Sequence, residues 1–460
     1  MYQVQFGSPI HVHFIGIGGI SMSSLAEILL ARQFTVSGSD QKSSDLTRHL
    51  EAKGARIAIG QRGENITEDI DLVVYTAAIH PDNPEFVCAR EKQIPMLTRA
   101  ELLGQIMKNY PVPIAVSGTH GKTTTTSMAS LVLMEAGMDP TVSVGGILPQ
   151  IGGNLRLGHS DTFITEACEY TNSFLSFFPK ISIVLNVDAD HLDFFKDIDD
   201  IRHSFHRFAK LLPEDGTLII NADTPQVEAV THNLHCEIIT FSLKGNGDYT
   251  AKDITFSEDG CATFTCMRKD MEIGTFTLHV PGMHNVANAL SVIAMSIRLG
   301  IDTETIQRGF TAFGGTKRRF EHKGSLGGIT IIDDYAHHPT EIRATLTTAN
   351  ACDKKTLWCV FQPHTYSRTY ALLDDFADAL SMADKIILAP IYAAREQNTI
   401  GITSADLQKK IQALGKECLY LETFDEIENY LLGHAEPGDI ILTIGAGDVY
   451  KIGERLVEQA

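Results

Sequence analysis

Ile114-Ala-Val-Ser117 followed by Gly118-Thr-His-Gly-Lys122-Thr123-Thr-Thr-Thr126 is an apolar run, a glycine turn and a helix start. In that order the backbone N–H groups of the turn can wrap phosphate oxygens. Lys122 can reach β- and γ-phosphates, and the Thr123 hydroxyl can sit on Mg²⁺. The longer phosphate-loop pattern wants glycine at 116, where this chain has Val116, so the motif is the shortened G-x-x-G-K-T. A strand, a phosphate loop and a helix predict a parallel α/β unit, and the neighbouring sequence repeats the pattern.

Downstream, Glu166-Ala-Cys-Glu169 follows a strand reading at Asp161 to Thr165. Asn186-Val-Asp-Ala-Asp190-His191-Leu-Asp193 follows another at Ile181 to Asn186. Parallel strand ends converge on one edge of such a sheet, so both stretches are expected to meet the phosphate loop. For Asp188 or Asp193 taken singly, a solvated loop carboxylate is the plainer reading. Glu169 and His191 are the expected functional residues.

Upstream, His11-Val-His-Phe-Ile15 reads as a strand leading into Gly16-Ile-Gly18-Gly19-Ile-Ser21 and a helix from Ser23 to Ala31. This context suits a diphosphate at a helix N-terminus, with Ser21 in place of a third glycine. Asp40 ends the next strand, about where an acid binds a ribose hydroxyl. The turn alone admits a nicotinamide dinucleotide, a UDP-sugar or a tight turn with no ligand.

Prolines at Tyr110-Pro-Val-Pro113 and the glycine-rich, basic Phe313-Gly-Gly-Thr-Lys-Arg-Arg319 mark two boundaries. They divide the chain at 1–109, 110–315 and 316–460, in agreement with the length prior for 460 residues. Asp248 to Val280 reads as short antiparallel strands, and about Asn285 to Leu299 as a helix. The last unit shows strands at Ile329, Thr356, Lys385 and Asp439. The expected fold class is therefore α/β in three domains. The N-terminal domain is Rossmann-like, the central one is a P-loop ATPase type with a mostly parallel sheet, and the C-terminal one is again Rossmann-like.

Lys and Arg number 38 against 57 Asp and Glu, a net charge of −19, which argues against nucleic acid or an anionic membrane as partner. The eight cysteines form no C-x-x-C pair and read as reduced thiols. With no secretory signal and no long apolar run, a soluble cytoplasmic protein is expected, without membrane insertion.

The motifs G-x-x-G-K-T-T, E-x-x-E-Y-T-N-S-F-L, N-V-D-A-D-H-L-D, P-G-x-H-N, G-T-K-R-R-F-E, D-D-Y-A-H-H-P-T-E and Q-P-H-T-Y-S-R-T occur in this order. On them the chain resembles the Mur ligase family, ATP-dependent peptide-bond-forming enzymes of peptidoglycan precursor synthesis, from about Val12 to Gly447. Within that family it looks like the branch that adds L-alanine to UDP-N-acetylmuramate.

The resemblance implies three small-molecule partners (UDP-N-acetylmuramate, ATP and L-alanine), Mg²⁺ as cofactor, and a monomer or homodimer. It implies that Gly118, Thr119, His120, Gly121, Lys122, Thr123 and Thr124 hold ATP phosphates, with Asn285 and Asn288 beside the adenine. Thr123, Glu169 and His191 would be metal ligands. Arg318 or Arg319 would be the hinge arginine at the nucleotide, and Asp334 an acid near ribose or amine. Gly16, Gly18, Gly19 and Asp40 would hold the UDP-sugar, and Tyr335, His338, His364 and Arg368 would line the closed site. Lys122, Glu169, His191, Arg319 and His338 are the expected catalytic set. A sister ligase that joins a recycled murein tripeptide is the near alternative, and a nicotinamide dehydrogenase the distant one.

Overall fold

The computed structural model describes residues 2–76, 78–192, 194–394 and 396–459, so Asp193 lies outside the described residues. Three sheets follow one another along the chain. The first holds β1 (His11–Ile15), β2 (Thr35–Asp40), β3 (Arg56–Ile59), β4 (Leu72–Tyr75) and β5 (Met96–Thr98). Its order is β3-β2-β1-β4-β5, all parallel, the arrangement of a doubly wound nucleotide-binding sheet. His11 to Ile15 are all buried, as a central parallel strand covered on both faces requires.

The second sheet has ten strands. They are β6 (Val112–Ser117), β7 (Thr141–Leu148), β8 (Gly153–Arg156), β9 (Thr162–Ala167), β10 (Ile181–Val184), β11 (Thr217–Asn221), β12 (Glu237–Ser242), β13 (Tyr249–Phe256), β14 (Cys261–Arg268) and β15 (Met271–Pro281). From β12 to β7 the neighbours are parallel. The antiparallel β13, β14 and β15 extend one edge, where alternating threonines such as Thr263 and Thr277 pair across strands.

The third sheet holds β16 (Glu321–Leu326), β17 (Ile329–Asp334), β18 (Leu357–Phe361), β19 (Lys385–Leu388), β20 (Cys418–Tyr420) and β21 (Ile440–Ile444), in the order β16-β17-β21-β18-β19-β20. Only β16 runs antiparallel, on the edge.

The first two sheets share one apolar core. Leu103 and Tyr110 pack in the same cluster as Phe163, Phe174 and Phe205. Gly104 makes this possible, because a Cβ there would lie 1.9 Å from the Ser176 carbonyl oxygen. The helix Arg99–Met107 therefore seats directly on the turn Tyr170–Ser176. Among the described residues no helix is long and apolar enough to cross a membrane, and all eight cysteines are free.

Candidate functional site

The C-terminal ends of β6, β9 and β10 open onto one edge, and each carries a motif. Gly118 (φ 136°) and Gly121 (φ 84°) give the phosphate loop the left-handed backbone it needs. Gly121 caps the helix Lys122–Glu135, and a Cβ on it would meet Asn288 Oδ1 at 2.9 Å. Asn186, after β10, braces the loop: its side chain accepts from His120 N at 2.8 Å and donates to the His120 carbonyl at 3.1 Å. Thr119 Oγ1 accepts from Asp188 N at 2.9 Å. The loop is thus shaped by its neighbours before any phosphate arrives.

Lys122 folds back into this loop. Its Nζ donates to the carbonyls of Gly118 (2.5 Å) and Thr119 (3.0 Å) and to Glu169 Oε2 (3.0 Å). Burial disfavours its charge, but Glu169 outweighs that and holds the Lys122 pKa well above its usual value. Glu169 is buried, at 2 % exposure. Thr123 is buried beside Lys122 at the head of the helix.

His191 (φ 55°) lies against the Tyr170 ring at 4.5 Å, and its N–H donates to Asp190 Oδ1 at 2.7 Å. Thr171 and Asn172, in the turn after Glu169, also take positive φ. So do Arg318, Phe320 and Thr365 on the opposite wall. Non-glycine residues held in this conformation tend to gather where function demands an unusual geometry.

That opposite wall comes from the third sheet. A cleft of about 320 Å³ is lined by His120, Gly121 and Thr124 on one side and by Arg319, Asp334, Glu341 and Thr345 on the other, with Asn285 and Asn288 at its back. Asn285 Nδ2 donates to the Pro281 carbonyl, and Asn288 Nδ2 to Asn285 Oδ1. Asp334 accepts from the N–H groups of Phe320 and Ala336, both at 2.7 Å. Burial nonetheless pushes its pKa up to about 6, against the pull of Arg319.

The two hinge arginines divide. Arg319 lines the cleft, whereas Arg318 points into its own domain. Arg318 binds Asp333 (3.2 Å) and the carbonyls of Gly445 (2.6 Å) and Gly447 (3.0 Å) between the Tyr335 and Tyr450 rings. Its guanidinium donors are engaged within the domain, so the structure sets Arg318 apart from the cleft that was expected of it.

His338 caps the helix Pro339–Ala351, its ring 5.2 Å from that of His120. Burial lowers its pKa. A second cavity of about 600 Å³ joins Tyr170, Asp190 and His191 to His364, Arg368 and Glu396. Arg368 Nη2 stands 3.4 Å from Asp190 Oδ1 across the gap. Burial raises and His191 and Arg368 lower the Asp190 pKa, which ends at about 2. His364 stacks on Tyr392 at 5.7 Å, and burial brings it down to about 4. Tyr335 lies under both hinge arginines, 5.3 Å from the Arg319 guanidinium.

The N-terminal glycine turn belongs to the first sheet. Gly16 (φ 83°) and Ile17 both donate to the Ser39 carbonyl at 2.9 Å, and Gly19 caps the helix Ile20–Ala31. Asp40 Oδ2 accepts from Gly18 N at 2.9 Å. The acid that the sequence places near a ribose therefore pins the turn itself.

Glu341 and Asp188 line the cleft and Asp190 the second cavity, although sequence reasoning had given none of them a role. The available signal was the position of Glu341 in the first turn of the helix that His338 caps, three and four residues after the histidine pair.

Three family models match in chain order: the Mur ligase family catalytic domain over residues 11–111, the Mur ligase middle domain over 116–296, and the Mur ligase glutamate ligase domain over 318–447. The UDP-N-acetylmuramate–L-alanine ligase of Lachnospira eligens is 58 % identical over 459 residues, the whole of both chains. That of Agathobacter rectalis is 57 % identical over the same span. Among solved structures, the UDP-N-acetylmuramate–alanine ligase of Thermotoga maritima superposes with a TM-score of 0.81 at 30 % identity, over 98 % of this chain and 99 % of that one. A murein peptide ligase from Psychrobacter arcticus gives 0.72 at 27 % identity, over 98 % of each chain. On its sequence along its whole length and on its fold, this chain belongs to the Mur ligase family.

Proposed function

We propose that this chain joins L-alanine to the carboxylate of UDP-N-acetylmuramate, at the expense of ATP, as a step in making peptidoglycan precursors. The observation that carries this reading is the meeting of the Lys122–Glu169 phosphate loop with Arg319 and Asp334 across one cleft. The L-alanine ligases at 57–58 % identity favour it over the tripeptide-joining alternative, whose solved relative is 27 % identical. The dehydrogenase reading leaves Lys122, Thr123, Asp190 and His191 without a task.

In this reading residues 1–109 hold the UDP-sugar on the amides after Gly16. Residues 110–315 hold ATP, with adenine beside Asn285 and Asn288, and residues 316–460 bring the amino acid and close the cleft. The γ-phosphorus passes to a carboxylate oxygen of the sugar acid, giving an acyl phosphate and ADP. The alanine amine then attacks the acyl carbon, and phosphate leaves as the C–N bond forms.

Lys122 carries fixed positive charge into the phosphate path, and Arg319 supplies a second cation from the facing wall. Arg368, already held against Asp190, suits a carboxylate or phosphate in the larger cavity. Backbone N–H groups and few side chains do most of the orienting.

The Thr123 hydroxyl and the Glu169 carboxylate are the oxygen donors a hard dication takes beside nucleotide phosphates, and the buried Glu169 side chain faces the loop that would hold them. They would hold Mg²⁺, which when bound neutralises charge on the phosphate oxygens, and His191 would serve a second metal ion. Such chemistry belongs to the cytoplasm, where both nucleotides are found. ADP release with UDP-N-acetylmuramate and a panel of amino acids tests this reading.

A further inference from the structure

His120 stands between two carboxylates from different sheets. Its Nε2 is 3.4 Å from Asp188 Oδ2, after β10, and its Nδ1 is 3.3 Å from Glu341 Oε1, on the helix after β17. Glu341 Oε1 also lies 4.0 Å from Arg319 Nη1, and Oε2 accepts from His337 N at 3.0 Å. One carboxylate thus touches the phosphate loop, the hinge arginine and the start of its own helix.

The contact belongs to a docked face. Glu341, Ala344 and Thr345 line the cleft, and Thr348 lies two turns along from Glu341. At Thr348 the central domain comes close enough that a Cβ on Gly282 (φ 101°) would meet Thr348 Oγ1 at 2.6 Å. The helix is therefore held at two points, one steric and one ionic. The charges agree with this arrangement. Burial opposes them, but the partners win, so Glu341 stays ionised and the pKa of His120 is pushed up to about 9.

We propose that Glu341 is a positioning residue that clasps His120 and Arg319 together, holding the C-terminal domain closed over the phosphate loop in the geometry for phosphoryl transfer. This rests on the ligase reading above. Neither Glu341 nor His120 needs to touch the reacting atoms. Glu341 acts through the cation on each side of it.

The test compares Glu341→Gln, Glu341→Asp, His120→Gln and the Glu341→Gln/His120→Gln double variant in steady-state ligation, with melting curves as a folding control. Glu341→Gln is expected to lower kcat at least about tenfold while the KM for ATP moves less than about threefold, because closure is lost and ground-state binding is kept. Glu341→Asp should recover part of the loss, a rescue that a merely structural role would not give. The double variant should fall within about threefold of the worse single one, because both remove the same contact.

Small-angle scattering of Glu341→Gln should show a larger radius of gyration than the parent. A kcat within about twofold of the parent in Glu341→Gln would overturn the proposal, as would losses that multiply in the double variant. So would a KM effect with kcat unchanged. If one variant fails to fold, the other single variant and Glu341→Asp carry the same comparison. A parent that does not ligate at all would refute the ligase reading, and scattering would still read the clasp.

Discussion

Lys122 Nζ stands 3.0 Å from Glu169 Oε2, and the two charges are shut in together at the head of the phosphate loop. The pair means that the loop's cation is already aimed when nucleotide arrives. It also means that neither partner can be removed without leaving a buried charge behind.

Lys122→Met should therefore still fold, at a cost of about 3 kcal/mol in unfolding free energy, since an unpaired buried carboxylate is expensive. Ligation should fall below detection. Denaturant melts of Lys122→Met and of Lys122→Met/Glu169→Gln check the first point. The double variant should regain a substantial part of the lost stability. Equal melts for the two variants would show that the pair is not what holds the loop.

The His120 bridge gives a pH signature. Its pKa is about 9 in the folded chain, against an ordinary value near 6.5. The stabilisation is thus fully present below about pH 6.5 and is lost as pH rises through about 9. At about 1.4 kcal/mol per pH unit this amounts to something on the order of 3 kcal/mol. Asp334, raised to about 6, acts in the same direction but at lower pH. Melting temperatures of the parent should fall between pH 7 and pH 9, and those of His120→Gln should be flatter over that window. Parallel curves would contradict the bridge.

Gly18 has no room for a side chain: a Cβ would lie 2.8 Å from Asp40 Oδ2 and 3.0 Å from Thr47 Cγ2. Gly18→Ala must displace the Asp40 carboxylate that pins the turn. Titration with UDP-N-acetylmuramate should show binding weakened about tenfold or more, as for a loss of roughly 1.4 kcal/mol. ATP binding, on the second sheet, should be unchanged. Equal weakening of both ligands would mean that the turn is not a separate site.

Arg368→Lys keeps the charge but loses the planar fork. With Asp190 facing it at 3.4 Å, the variant should fold normally and lose most of its kcat, by about tenfold or more. Stopped-time phosphate release checks this, and full activity would remove Arg368 from the site.

Much of the fold was legible because strands covered on both faces are written as continuous apolar runs. The readings at His11 to Ile15, Ile181 onward and Lys385 onward fall on β1, β10 and β19. The strands that escaped include edge or short ones, and also β7 and β12 inside the second sheet. β16 carries Glu321, His322 and Lys323, and β8 is only Gly153 to Arg156. Nothing in such stretches distinguishes a strand from a loop until a neighbour supplies the hydrogen bonds.

The phosphate loop was legible for a related reason, since its chemistry is local. The cross-domain contacts were not. Glu341 and His120 are far apart in sequence and meet only when the third sheet docks. Arg318 and Arg319 are adjacent and chemically alike, and only backbone direction sends one to Asp333 and the other to the cleft.

The ligase reading stands or falls most directly on ADP release with UDP-N-acetylmuramate, ATP and Mg²⁺, run in parallel with L-alanine, glycine, L-serine and a murein tripeptide. The reading predicts release that depends on both the UDP-sugar and the amino acid, fastest with L-alanine and absent with the tripeptide. Release driven by the tripeptide in preference to L-alanine, or no release with any acceptor, would contradict it.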